Sequence, residues 1–121
     1  MRILLAEDSI DNRRLLKRLL EGAGAQLDVA SDGLDAVKMA QSHPFDVILM
    51  DIQMPRLDGY NATRQIRGIG FKKPILALTA HASEQDLERV LEAGCNDRLV
   101  KPIEFDQIVS SILASTSLQR T

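Results

Sequence analysis

The sequence predicts an α/β domain: a doubly wound, five-stranded parallel sheet in the order 2-1-3-4-5 with five helices. Three observations carry this. Short apolar runs alternate with longer segments of helical period, the pattern of βα units whose crossovers build a parallel sheet. Val47-Ile48-Leu49-Met50 and Ile75-Leu76-Ala77-Leu78 are continuously apolar, as strands covered on both faces must be, so they belong in the middle. Leu27 and Val29 alternate with Gln26 and Asp28, which suits an edge strand.

Strands are predicted over residues 2–6, 26–30, 45–50, 74–79 and 97–100, each followed by a segment long enough for a crossover helix. The first helix starts near Ser9 as N-cap, with Leu15, Leu16, Leu19, Leu20 and Ala23 as its core stripe and Arg13, Arg14, Lys17 and Arg18 polar; Gly22 and Gly24 end it. Met54-Pro55 and Gly59 mark a loop and the start of the third helix. Ser83 and Gly94 bracket the fourth around Leu87, Val90 and Leu91. The last carries Phe105, Ile108, Val109, Ile112 and Leu113 as core.

At 121 residues and 45% hydrophobic content, one self-supporting domain over residues 1–114 is expected, followed by a polar tail or linker at 115–121. Such an ending suits a module of something larger. A net charge of −2 and 3% aromatic residues provide neither the basic stripe nor the stacking platform of a nucleic-acid binder, so no direct nucleic-acid contact is expected. No apolar run reaches the roughly 20 residues of a membrane span, and Met1-Arg2 leads straight into a strand rather than a signal peptide. Cys95, the single cysteine, reads as a small packed side chain, and a chain without an internal disulfide fits the reducing cytoplasm.

Charged groups sit where the predicted strands end: Glu7 and Asp8 after the first, Asp51 after the third, Lys101 after the fifth. In a parallel sheet of this order the first and third strands flank the switch point, so these groups share one crevice. Two carboxylates about 4 Å apart repel by roughly 4 kcal/mol at an effective dielectric near 20, and a hard divalent cation is the natural occupant.

Taken together, Glu7-Asp8, Asp51-Ile52-Gln53-Met54-Pro55 with Gly59, Leu78-Thr79-Ala80 and Val100-Lys101-Pro102 make the chain resemble the receiver domains of two-component response regulators, over nearly its whole length. Met50-Asp51-Ile52-Gln53-Met54-Pro55 and the run from Gly59 to Arg67 are most similar to receivers attached to hybrid sensor kinases.

The resemblance implies a flavodoxin-like fold and a phosphorelay role. Asp51 is the implied phosphoacceptor, taking a phosphoryl group from the phosphohistidine of a histidine kinase or histidine phosphotransfer domain. Mg²⁺ is the implied cofactor, held by Glu7, Asp8, Asp51 and the backbone carbonyl of Gln53. Lys101, the Thr79 hydroxyl and the Ala80 amide are the implied phosphate ligands, and Pro102 is implied to follow a cis peptide bond. On this resemblance the domain is expected to catalyse only its own aspartyl phosphorylation and dephosphorylation, as a monomer or weak dimer, and to be a switch more than an enzyme.

In the family the switch couples the threonine to an aromatic residue three positions before the lysine. That position is Arg98 here, which is expected to face solvent and contact a partner. Gln53 and His81 border the path of attacking water and are implied to tune phosphate lifetime, with an exposed loop residue as the plain alternative for His81. Ile10, Arg13 and Arg14 are expected to dock the phosphodonor, with a helix staple as the alternative for Ile10.

Three other readings compete. A haloacid-dehalogenase-like phosphatase needs a second acid where Gln53 stands and a cap insertion that this length cannot hold. A flavodoxin needs a phosphate loop after the first strand and aromatics to sandwich the flavin. A pseudo-receiver, a protein-interaction module not phosphorylated in use, is the remaining alternative, against which stands the complete acceptor set.

Overall fold

Each of the first four helices begins where a side-chain oxygen accepts the amide three residues on: Ser9 from Asn12, Asp32 from Asp35, Asp58 from Asn61 and Ser83 from Asp86. The computed structural model describes residues 1–119, in the order β1 (Arg2–Ala6), α1 (Ile10–Gly22), β2 (Gln26–Ala30), α2 (Gly33–Ser42), β3 (Val47–Asp51), α3 (Gly59–Gly68), β4 (Ile75–Thr79), α4 (Glu84–Ala93), β5 (Asp97–Val100) and α5 (Phe105–Gln119). The strands form one parallel sheet ordered β2-β1-β3-β4-β5, as the sequence predicts. Winding reverses between β1 and β3, which makes their carboxyl ends the switch point.

All residues of β3 and β4 are buried, which is why both read as continuous apolar runs. Alternate side chains serve two cores. Leu4, Ile48, Met50 and Ile75 pack with Val37, Ile66 and Val90, while Ile3, Leu5, Leu49 and Leu78 pack with Leu20, Ile108 and Ile112. Cys95 is buried in the first of these cores, 3.6 Å from the Thr63 hydroxyl, and that burial pushes its thiol up.

The stripes read as core are only partly so. Leu15, Leu91 and Leu113 are 54%, 46% and 57% exposed, because only one line of each helix meets the sheet; α1 fully buries Leu20 alone. β3 and β4 also begin later than predicted: Phe45 enters the core ahead of its strand, and Pro74 has no N–H to give a ladder. The polar stretch from Ser115 continues α5 to Gln119, with the Ser115 and Thr116 hydroxyls donating back to the Ile112 carbonyl at 3.0 and 2.8 Å. Arg120 and Thr121 lie outside the described residues. Among the described residues no helix is long and apolar enough to cross a membrane.

Candidate functional site

The register brings the strand ends to one edge: Ala6 pairs with Met50, Asp51 with Leu78, and Thr79 with Val100. Glu7 and Asp8 therefore leave β1 beside Asp51 at the end of β3, and Lys101 follows β5 beyond Thr79. Gly59 lets α3 start against this edge. A Cβ there would stand 2.3 Å from the Asp51 carbonyl oxygen and 2.7 Å from Ile52 Cα, while its N–H donates to the Ile52 carbonyl at 2.8 Å.

Asp51 is 2% and Glu7 1% exposed, whereas Asp8 faces solvent. Lys101 Nζ donates to Asp51 Oδ2 at 2.9 Å and stands 3.7 Å from Glu7 Oε1. Asn12 Nδ2 donates to Glu7 Oε1 at 2.8 Å, and the Gln53 amide donates to Asp51 Oδ1 at 3.1 Å. The Lys101–Pro102 peptide is cis, as the resemblance implied.

Burial pushes the Glu7 carboxyl up to about 7; the adjacent Asp51 carboxylate acts in the same direction, while Asn12 and Lys101 pull it down. Burial pulls the Lys101 ammonium down, but its hydrogen bond to Asp51 and the charges of Asp51, Glu7 and Asp8 outweigh this and hold it above its ordinary value. One ammonium thus stands against three carboxyls.

The donor set fits a hard divalent cation. Glu7, Asp8 and Asp51 each offer an oxygen within 4.8 Å of the others. Glu7 Oε2 is buried and, among the described residues, has no hydrogen-bond partner as a carboxylate. A cation would satisfy it, and the exposed Asp8 gives such an ion a way in from solvent.

Thr79 is buried at the end of β4, and its Oγ1 accepts the His81 amide at 3.1 Å. Gln53 Nε2 and His81 Nε2 approach to 3.5 Å, so the two exposed side chains share the mouth of the crevice. Arg98 departs from expectation. It does not extend into solvent but turns back on the loop between β4 and α4, donating to the carbonyls of His81, Ala82 and Ser83 at 3.3, 3.0 and 2.6 Å. The three residues are exposed, and a guanidinium offers their carbonyls donors in a planar fork.

Of the residues expected to dock a partner, Ile10 is 51% exposed and Arg14 is exposed. Arg13 is half-buried and donates to the carbonyls of Glu7 at 2.9 Å and Asp8 at 3.3 Å, bracing the loop that carries both acids. A cleft of about 500 Å³ opens beside the acids, with Leu15, Leu16 and Ile103 on its walls and Lys101 at its rim. Sequence reasoning missed Asn12. Its position in the first turn of α1, three residues after the Ser9 cap, was the available signal.

The sequence pattern described as response regulator receiver domain matches residues 3–113. The chain is 39% identical to "Probable histidine kinase 2" of Oryza sativa subsp. indica, over 93% of this chain and 12% of that protein, so it spans about an eighth of that relative's length. Among solved structures, the receiver domain of sensor histidine kinase PA1611 from Pseudomonas aeruginosa PAO1, described with a magnesium ion coordinated in the active site cleft, superposes with a TM-score of 0.88 at 39% identity, covering 96% of this chain and 97% of that one. The receiver domain of Saccharomyces cerevisiae Ssk1, crystallised with the histidine phosphotransfer protein Ypd1, superposes at 0.90 with 30% identity, covering 98% and 90%.

Proposed function

This chain belongs to the response regulator receiver domain family, and on that premise we propose that it is a Mg²⁺-dependent phosphoacceptor whose nucleophile is Asp51. Its relatives include a probable histidine kinase and the receiver domain of a sensor histidine kinase, and the phosphodonor we assign is a histidine kinase or histidine phosphotransfer domain of a cytoplasmic phosphorelay. One observation carries the reading: the buried Asp51 carboxylate is paired at 2.9 Å with Lys101 while Glu7 and Asp8 crowd it from β1.

An Asp51 oxygen attacks the phosphorus of a phosphohistidine; the P–N bond breaks and its electron pair stays on the imidazole nitrogen. Glu7, Asp8, Asp51 and the Gln53 carbonyl would hold the magnesium ion, which when bound supplies neutralising charge for the phosphoryl oxygens. Lys101 passes from the Asp51 carboxylate to the phosphoryl group as a point charge. Because Thr79 Oγ1 accepts from His81, its own hydrogen remains free to donate to a phosphoryl oxygen. The Ala80 amide serves a further oxygen.

Hydrolysis reverses the modification: water attacks phosphorus, the aspartyl C(O)O–P bond breaks, and inorganic phosphate leaves with Asp51 again a carboxylate. Gln53 and His81 at the mouth set the access of that water, and Ile10 and Arg14 lie where the donor docks. The protein works as a monomer or weak dimer.

The test is intact mass after incubation with acetyl phosphate, with and without Mg²⁺. The expected result is a single Mg²⁺-dependent phosphoryl adduct, absent in Asp51→Asn. A folded, Mg²⁺-binding wild type that takes no adduct would instead identify an interaction module that is not phosphorylated.

A further inference from the structure

We propose that Arg98 is a positioning residue, a clamp that holds the loop between β4 and α4 so that Thr79 and Ala80 face the phosphoacceptor. The inference rests on the phosphoacceptor reading of Asp51 and extends it to a residue outside the crevice.

Residues 80–83 are all exposed and bury no apolar side chain that could anchor them. What holds the loop is polar. On its inner side the His81 amide donates to Thr79 Oγ1 at 3.1 Å, and the Lys101 amide donates to the Thr79 carbonyl at 2.7 Å. On its outer side one guanidinium spans three consecutive carbonyls, those of His81, Ala82 and Ser83. Ser83 is also the N-cap of α4, and its carbonyl accepts the Leu87 amide at 3.1 Å. Arg98 therefore ties β5, where it pairs with Ala77, to both the loop and the first turn of α4.

The sign of the charge gives α4 no help through its dipole. A cation at a helix N-terminus opposes the macrodipole, so Arg98 is placed against the helix preference and in favour of the carbonyls. A planar fork with several donors can serve three acceptors at once, whereas a lysine ammonium is a point charge on a flexible stem. With the fork gone, the loop loses its outer restraint and the Thr79 hydroxyl and Ala80 amide lose their common orientation. The acids of the metal site stand on other segments, after β1 and at the end of β3, and are unaffected.

Arg98→Ala and Arg98→Lys test this in two arms. In the unphosphorylated protein, amide exchange at His81 is expected to quicken by about tenfold or more in Arg98→Ala, while Leu76 and Leu78 in the sheet, which report folding, exchange as in wild type. With acetyl phosphate and Mg²⁺, adduct formation is expected to slow by about tenfold, with the Mg²⁺ Kd measured without phosphodonor changing by less than about twofold. Arg98→Lys is expected to resemble Arg98→Ala in both arms.

Unchanged exchange at His81 would overturn the clamp whatever the phosphorylation result. Quickened exchange with an unaltered or faster adduct rate would overturn its link to the acceptor, and wild-type behaviour of Arg98→Lys would overturn the argument from the fork. A wild type that takes no phosphoryl group would defeat the reading of Asp51 instead, and the exchange arm would still decide whether Arg98 holds the loop.

Discussion

Lys101 Nζ lies 2.9 Å from Asp51 Oδ2, joining the segment after β5 to the end of β3 across the carboxyl edge of the sheet. Fifty residues separate them in sequence. The ammonium offsets part of the repulsion among Asp51, Glu7 and Asp8 and sits where a phosphoryl group on Asp51 would place its charge.

Lys101→Ala is expected to cut the rate of adduct formation from acetyl phosphate by about 100-fold, the scale of removing one preorganised charge from a transferring group. Mg²⁺ affinity is expected to rise, because a cation then relieves repulsion that the ammonium no longer offsets. Single-turnover mass spectrometry and calorimetric Mg²⁺ titration separate the two effects, and a weakened Mg²⁺ affinity would contradict this account.

Glu7 sets a pH dependence. Its carboxyl is raised from 4.5 to about 7, so the folded state binds the proton more tightly than the unfolded chain. The stability this contributes is present below about 4.5 and lost as pH rises to about 7. Without Mg²⁺, Glu7→Gln is expected to remove that decline and to be the more stable protein at pH 8 by up to about 3 kcal/mol, as read in urea midpoints. A wild-type curve flat across this window would count against it.

Gly59→Ala is expected to cost about 3 kcal/mol or more, since the added Cβ would meet backbone of Asp51 and Ile52, which no side-chain rotation can relieve. Thermal unfolding measures the loss. Mg²⁺ binding in the folded fraction should weaken as well, because the Asp51 backbone must shift.

Arg67 provides a control at the opposite edge. Its guanidinium donates to the carbonyls of Gly94, Phe71 and Lys73 and to Asn96 Oδ1, at 2.7 to 2.9 Å, joining α3 to the start of β4 and the end of α4. Arg67→Ala is expected to lower stability by about 3 kcal/mol, discounted for its partial exposure, with the phosphorylation rate of the folded protein unchanged. A slowed rate at unaltered stability would show coupling between the two edges.

Much of the site was legible because chain continuity puts residues at strand ends. Once Val47-Ile48-Leu49-Met50 and Ile75-Leu76-Ala77-Leu78 are central and parallel, Glu7, Asp8, Asp51, Thr79 and Lys101 have one shared edge to occupy. Side-chain reach was not legible in the same way. Asn12 on Glu7 and Arg13 on the carbonyls of Glu7 and Asp8 depend on how α1 is set against β1, and Leu15 is exposed because of which line of that helix meets the sheet.

By itself the sequence determined the fold class and the strand order and put the acids and the lysine of the candidate site at strand ends, because apolar pattern and chain direction act locally and a parallel sheet has one carboxyl edge; the Thr79 hydroxyl came from the family resemblance. The tertiary structure decided that Asp51 and Glu7 are both buried, that Glu7 consequently holds its proton to about 7, and that Arg98 turns back onto three loop carbonyls. Desolvation and hydrogen-bond direction depend on what surrounds a group in space, and neighbours from distant strands exist only once the sheet has formed.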